Sequence, residues 1–133
     1  MRIKIIEPYF LNKRYDARSL TPNPGPVIIA TLLNEAGHQV EIESEYVSEV
    51  NFENIDKADL VGISIATYNA KRGFAIARRI RKPVVFGGFH ASLMPEECLT
   101  YGEYVITGDG HPITKLATFL VNPEGNKSYK HCF

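Results

Sequence analysis

The sequence contains few of the residues that build disulfide frameworks or metal sites. Its 133 residues include two cysteines, Cys98 and Cys132. Two cysteines are too few for a disulfide framework, a zinc knuckle or an iron-sulfur cluster. We therefore expect both thiols to be free.

Long apolar stretches are also missing. No segment approaches the roughly 20 consecutive apolar residues of a membrane span. The start, MRIKIIEPYF, has neither the apolar core nor the cleavage site of a signal peptide. We expect a cytoplasmic protein with no membrane partner.

The chain carries no excess of charge of either sign. Lysine plus arginine and aspartate plus glutamate both number 15, so the formal net charge is zero. This balance favours neither nucleic acid nor an anionic membrane as a partner. Hydrophobic residues make up 44% of the chain, which is enough apolar material for one domain. We expect that domain to cover residues 1–122 and a polar tail to cover 123–133.

The motifs of several common enzyme and cofactor classes are absent. The sequence has no G-x-x-x-x-G-K-[ST] loop, G-x-S-x-G elbow or H-E-x-x-H helix. The nearest match to G-x-G-x-x-G begins at Gly108, lacks the third glycine and follows the last predicted strand. The first predicted strand ends in Glu7 and is followed by neither a receiver-type aspartate cluster nor a phosphate loop rich in glycine and hydroxyls.

Short β-branched runs alternate with helical segments, a rhythm that predicts a parallel sheet. The second run alternates polar and apolar residues, as edge strands do, whereas the third to fifth runs are almost wholly apolar. Right-handed crossovers then give an α/β, flavodoxin-like doubly wound sheet of five parallel strands, order 2-1-3-4-5, with helices on both faces. The predicted strands are 2–6, 40–44, 59–65, 83–86 and 104–107, and helices are expected over about 27–37, after the third strand and from Pro112.

A glycine pair follows the fourth predicted strand. Val84 to Phe86 is a buried apolar run, so Gly87 and Gly88 fall where the strand leaves the sheet and a helix should begin. Ligands of open α/β sheets lodge at this carboxyl edge, and main chain without side chains lets a bulky ligand approach closely.

Four segments together resemble the cobalamin-binding domain at the amino end of B12-dependent radical S-adenosylmethionine enzymes. They are LLNEAGHQVEI, DLVGISIATYNA, VVFGGFHASLMPEE and YVITGDG. The resemblance covers about residues 1–120, and its most specific part is GGFHASLMPEE followed by YVITGDG. It implies a domain that holds a corrinoid at the carboxyl edge of its sheet, with the nucleotide tail among the strand-end loops.

The resemblance also implies which residues contact cobalamin. At the end of strand 3 the family has small polar groups, here Ser64 and Thr67, and Tyr68 and Asn69 begin the next loop. The family's second glycine turn usually reads G-E-G-E, whereas this chain has Asp109 and His111 in place of the two glutamates. The predicted cofactor-binding residues are Ser64, Thr67, Tyr68, Asn69, Gly87, Gly88, His90, Gly108, Asp109 and Gly110.

Cobalt ligation by histidine is not expected. Corrinoid domains that use such a ligand carry D-x-H-x-x-G after strand 1, and the chain has no such motif. His90 is instead expected to contact the corrin or to stabilise a loop by hydrogen bonding.

The iron-sulfur motif C-x-x-x-C-x-x-C of the radical enzymes is absent as well. The resemblance therefore implies a cobalamin-binding module without catalysis of its own, which works with a radical S-adenosylmethionine domain or subunit if it is partnered. In the full enzymes the reaction is methyl transfer or a rearrangement.

Two other functions stay open at this point. A domain of the same fold that has lost its ligand would dock a partner protein through the basic helix of residues 71–82; the bland interpretation of that helix is a solvated surface. An enzyme acting on a small phosphorylated substrate would use Asp109 and His111.

Overall fold

The computed structural model describes residues 1–10 and 23–108. Its five strands form one parallel sheet in the order β2-β1-β3-β4-β5, as the sequence predicts. The strands are β1 (Arg2–Glu7), β2 (Gln39–Ser44), β3 (Leu60–Ser64), β4 (Val84–Gly87) and β5 (Tyr104–Val105).

The helices of the described segments lie on both faces of this sheet. They are α1 (Pro24–Glu35), α2 (Phe52–Ile55), α3 (Ala70–Ala77), α4 (Phe89–Leu93) and α5 (Pro95–Leu99), with a 3-10 turn at Thr67–Asn69. α1 packs on one face through Ala30 and Leu33, against a cluster that includes Ile5 and Val85. The other helices share the opposite face, where Phe74 and Phe86 belong to the second apolar cluster. The helix expected from Pro112 and the tail 123–133 lie outside the described residues.

The start of α1 is defined by one asparagine and two prolines. Asn23 is the N-cap, and its side chain accepts a hydrogen bond from the Gly25 N–H at 3.0 Å. Pro24 occupies the first helical position, where its missing N–H costs nothing. The helix therefore begins three residues before the predicted boundary.

β2 is the edge strand, as its alternating pattern predicts. All six of its residues are exposed or half-buried, whereas β3 and β4 are buried over nearly their whole length. The polar residues of β2 also explain a buried lysine in its neighbour β1. Lys4 forms ion pairs with Glu41 and Glu43, which satisfy its charge inside the sheet.

Gly88 is required by a close approach between two strand ends. Its φ of 98° lies in the left-handed region, and a Cβ atom there would lie 2.5 Å from the carbonyl oxygen of Ile65. The same oxygen accepts a hydrogen bond from the His90 N–H, and the Ile65 N–H donates to the Gly87 oxygen. The chain after β4 therefore crosses directly over the end of β3.

We expect replacement of Gly88 by alanine to destabilise the domain by about 1 to 3 kcal/mol, because both the backbone conformation and the contact with Ile65 become strained. Gly87→Ala is the matched control, since a Cβ atom at Gly87 has no neighbour within 4 Å. Urea unfolding of the two variants measures the difference. Equal stabilities would contradict the close-approach argument.

Candidate ligand-binding site

A cavity of about 380 Å³ opens at the carboxyl edge of the sheet, on the face that carries α1. We call it the edge cavity. The start of α1 forms one wall, and the chain after β4 forms another. Its lining residues are Ile5, Asn23, Pro24, Gly25, Pro26, Ile28, Ile29, Gly62, Ile63, Ser64, Val85, Phe86, Gly87, Gly88, Phe89, Ser92, Ile106 and Gly108.

Four residues of β3 and β4 form the floor of the edge cavity. Gly62 pairs with Val85 and Ser64 pairs with Gly87, so the four side-chain positions form one patch on the same face of the sheet. A Cβ atom at Gly62 would make only ordinary contacts, with a nearest atom at 3.7 Å, and one at Gly87 would enter open space. The floor is therefore low because two of its four positions carry no side chain.

The edge cavity holds few polar side chains. The Ser92 hydroxyl already has two protein partners: it donates to the Gly88 oxygen and accepts from the Gly108 N–H, both at 3.0 Å. The hydroxyl of half-buried Ser64 has no protein partner among the described residues. Ser64 thus offers a hydrogen bond to whatever occupies the floor.

The structure brings four of the predicted cofactor-binding residues to the edge cavity: Ser64, Gly87, Gly88 and Gly108. It does not bring Thr67, Tyr68, Asn69 or His90 to the cavity lining. Asp109 and Gly110 lie outside the described residues, as does His111. The role of each of these residues in binding a cofactor stays a prediction.

His90 is held by the protein's own groups. Its ring is buried, with Nδ1 3.2 Å from the Thr67 hydroxyl and Nε2 3.1 Å from a carboxylate oxygen of Glu97. It also packs edge-on against Phe74 at 6.0 Å, which belongs to the core on the face opposite α1. These contacts correspond to the loop-stabilising hydrogen bonds that the sequence offered as one of two roles for His90.

Asn69 and Tyr68 differ in burial although they are adjacent. The Asn69 side chain is buried, accepts from the Ala66 N–H at 2.8 Å and donates to the Pro8 oxygen at 2.9 Å. It therefore joins the loop after β3 to the loop after β1. Tyr68 is exposed and its ring lies 5.4 Å from that of Phe10.

Glu7 is a residue whose role the sequence did not predict. Its buried carboxylate accepts from the Asn23 N–H at 2.9 Å and from the Ser44 hydroxyl at 2.8 Å. It thereby fixes the N-cap of α1, and with it one wall of the edge cavity. The available signal was a carboxylate placed directly at a strand end, followed by proline.

A second carboxylate fastens the loops to the basic segment 71–82. Glu45 accepts three hydrogen bonds from Arg72, the shortest at 2.7 Å, and one from the Tyr9 N–H at 3.1 Å. Farther along, Arg78 lies over the Tyr101 ring and Arg79 over the Phe52 ring. α3 itself ends at Ala77, short of the predicted end of the helix. Three cations of this segment are therefore engaged within the domain.

Cys98 is a free, buried thiol. Burial, with a smaller contribution from Glu97, raises its pKa to about 11, so it has little thiolate character at neutral pH. Cys132 lies outside the described residues.

Over residues 1–10 and 23–108, no group of three or more histidine, cysteine, aspartate or glutamate side chains is placed to hold a metal ion. In the same part of the chain, no helix is long and apolar enough to cross a membrane.

Comparisons with known proteins give one family model, one related protein and one similar fold. A family model described as B12 binding domain matches residues 16–116. Bacteriochlorophyllide d C-8(2)-methyltransferase of Chlorobaculum tepidum is 30% identical over 106 residues, which cover 77% of this chain and 22% of that protein. The chain thus spans about a fifth of the length of this curated relative. The crystal structure of the N-terminal domain of a hypothetical protein of Thermotoga maritima matches with a TM-score of 0.54 and 20% identity, covering 93% of this chain and 99% of that one. This last match is a likeness of fold.

The contact between Glu45 and Arg72 predicts a pH-dependent stability. Burial opposes the charged form of Glu45, but the bonds from Arg72 and Tyr9 outweigh it and lower the Glu45 pKa below its usual 4.5. A lowered folded-state pKa stabilises the domain above pH 4.5, and that stabilisation disappears as the pH falls through the folded-state value. We expect Arg72→Gln to lower the free energy of unfolding by about 1 kcal/mol at pH 7 and by less at pH 3.

Arg79→Gln is the control for this experiment, because Arg79 contacts the Phe52 ring rather than a carboxylate. Its effect should be similar at both pH values. A loss for Arg72→Gln that is as large at pH 3 as at pH 7 would rule out the carboxylate as its partner.

Proposed function

Because the chain belongs to the B12-binding domain family, we propose that its edge cavity receives the nucleotide tail of cobalamin and that the chain acts as a cobalamin-binding module. The single observation that carries this proposal is the low floor at the carboxyl edge of the sheet. A side chain at Gly87 would project into that space, so the bare main chain leaves room for a ligand.

The size and lining of the edge cavity agree with part of a large ligand. Ligand pockets usually span about 300 to 1,000 Å³ and are mainly apolar with a few placed polar groups. At about 380 Å³ the edge cavity would hold one end of a corrinoid, and the remainder would stay outside it. Ile5, Val85 and Ile106 supply apolar contacts, and the Ser64 hydroxyl supplies a hydrogen bond.

A bound corrinoid supplies a cobalt centre that can carry a methyl group. The chain's own residues bind and orient it: the floor admits the tail, Glu7 holds the wall formed by α1, and Gly88 lets the chain after β4 pass close to β3. No histidine ligand to cobalt is proposed. The placement of His90 supports this, since both ring nitrogens lie within hydrogen-bonding distance of other protein groups.

We also propose that the module serves a radical S-adenosylmethionine system whose iron-sulfur domain lies elsewhere, in the same or another cytoplasmic chain. The sequence resemblance supports this assignment. The curated relative is a methyltransferase of which this chain matches about a fifth, so methyl transfer is the reaction we favour for the complete system. The alternative, docking through the basic segment, is less favoured because Arg72, Arg78 and Arg79 contact the domain itself.

Titration of the purified chain with hydroxocobalamin, followed by visible spectroscopy and calorimetry, tests the proposed function. We expect saturable binding at micromolar concentration. Cobinamide, which has the corrin ring but no nucleotide tail, should bind at least about tenfold more weakly, because it leaves the edge cavity unfilled. Absence of cobalamin binding at high micromolar concentration would favour the interaction domain instead.

A substitution at the floor tests the site itself. Gly87→Val places three carbons in the edge cavity without a clash at Cβ, so it should weaken cobalamin binding about tenfold or more and leave thermal stability nearly unchanged. Cobinamide binding should change little. Ala75→Val, on an exposed position of α3, is the control. Equal cobalamin affinity for the wild type and Gly87→Val would place the tail elsewhere.

A further inference from the structure

The first turn of α1 presents almost no main-chain hydrogen-bond donors to the edge cavity. A helix N-terminus normally offers free N–H groups that attract phosphate and other anions. Here Pro24 and Pro26 have no N–H, the Gly25 N–H is bonded to Asn23 Oδ1, and the Asn23 N–H is bonded to Glu7. The carboxylate of Glu7 behind Asn23 makes this wall still less favourable for an anion.

The polar groups of the opposite wall, formed by the chain after β4, are also hydrogen-bonded within the protein. The Gly108 N–H donates to Ser92, whose hydroxyl donates to the Gly88 oxygen. Both walls therefore use these polar groups in hydrogen bonds within the protein, and mainly apolar side chains are left to meet a ligand. On the floor, Val85 is 2% exposed and lies in the same apolar cluster as Ile5 and Ile106.

The Ser64 hydroxyl is the polar group of the floor that has no protein partner among the described residues. A hydroxyl can satisfy one ring nitrogen of an aromatic base. It cannot also satisfy both N–H groups of an exocyclic amine, and burying unpaired N–H groups weakens binding.

We propose that the edge cavity selects corrinoids by their lower base, favouring the neutral, methylated benzimidazole of cobalamin over an adenine base and leaving the tail phosphate outside. This inference rests on the proposed function and adds a specificity to the same site. The methyl groups of the benzimidazole suit the apolar floor, whereas the adenine amine would face mainly apolar side chains, which cannot accept its hydrogens.

Calorimetric titration of the wild-type chain with cobalamin and with the corrinoid that carries adenine as its lower base tests the preference. We expect cobalamin to bind about 10- to 100-fold more tightly. Equal affinities would overturn the inference and leave the proposed function standing. Failure of both corrinoids to bind would overturn the proposed function and this inference with it.

Two neighbouring valines of β4 provide a matched pair of variants. Val84 and Val85 are equally buried, but Val85 lies on the floor and Val84 packs in the cluster on the other face of the sheet. Val85→Thr adds a hydroxyl that can accept from the adenine amine. It should therefore reduce the ratio of cobalamin affinity to adenine-corrinoid affinity about 2- to 10-fold. Val84→Thr should leave the ratio of the two affinities at the wild-type value.

Thermal melting identifies any variant that is not folded, and the wild-type comparison stands without the variants. The base does not rest on this floor if a folded Val85→Thr variant keeps the wild-type ratio of the two corrinoid affinities. The same conclusion follows if Val84→Thr changes that ratio as much as Val85→Thr does.

Discussion

The close passage of the chain after β4 over the end of β3 is the constraint on which the carboxyl edge depends. Gly88 allows it, and the Ile65 main chain makes two hydrogen bonds there: its N–H donates to the Gly87 oxygen and its oxygen accepts from the His90 N–H. Since this main-chain pairing holds the two strand ends together without side chains, the neighbouring positions are free to be small. The two glycines therefore have different roles. Gly88 permits the close contact with Ile65, and Gly87 leaves the edge cavity open.

Much of the fold follows from hydrophobic pattern alone. The alternating β2 and the continuous apolar β3 and β4 place the edge and the centre of the sheet, and the right-handed crossover rule supplies the order. The short α2, α5 and the early end of α3 were not predicted, because segments of four to eight residues carry too little periodicity to be distinguished from turns.

The sequence predicts which edge of the sheet carries the site, but not which residues line the cavity there. Gly87 and Gly88 follow from the end of an apolar strand, and both line the edge cavity. The resemblance gave Ser64, Thr67, His90 and Gly108 alike, and of these four Ser64 and Gly108 line the cavity, because a motif does not tell which face of a sheet a loop side chain takes. The two hydrogen bonds that Glu7 accepts come from residues 16 and 37 positions away. A single sequence does not reveal such pairings.

The buried carboxylate at the end of β1 also couples two elements that lie on either side of it. Glu7 accepts from the Asn23 N–H at the start of α1 and from the Ser44 hydroxyl at the end of β2. A buried carboxylate that loses one of its donors costs more than the bond itself, because water does not replace the lost partner. A chemical change at Ser44 would therefore reach the start of α1 although the two do not touch through their own side chains.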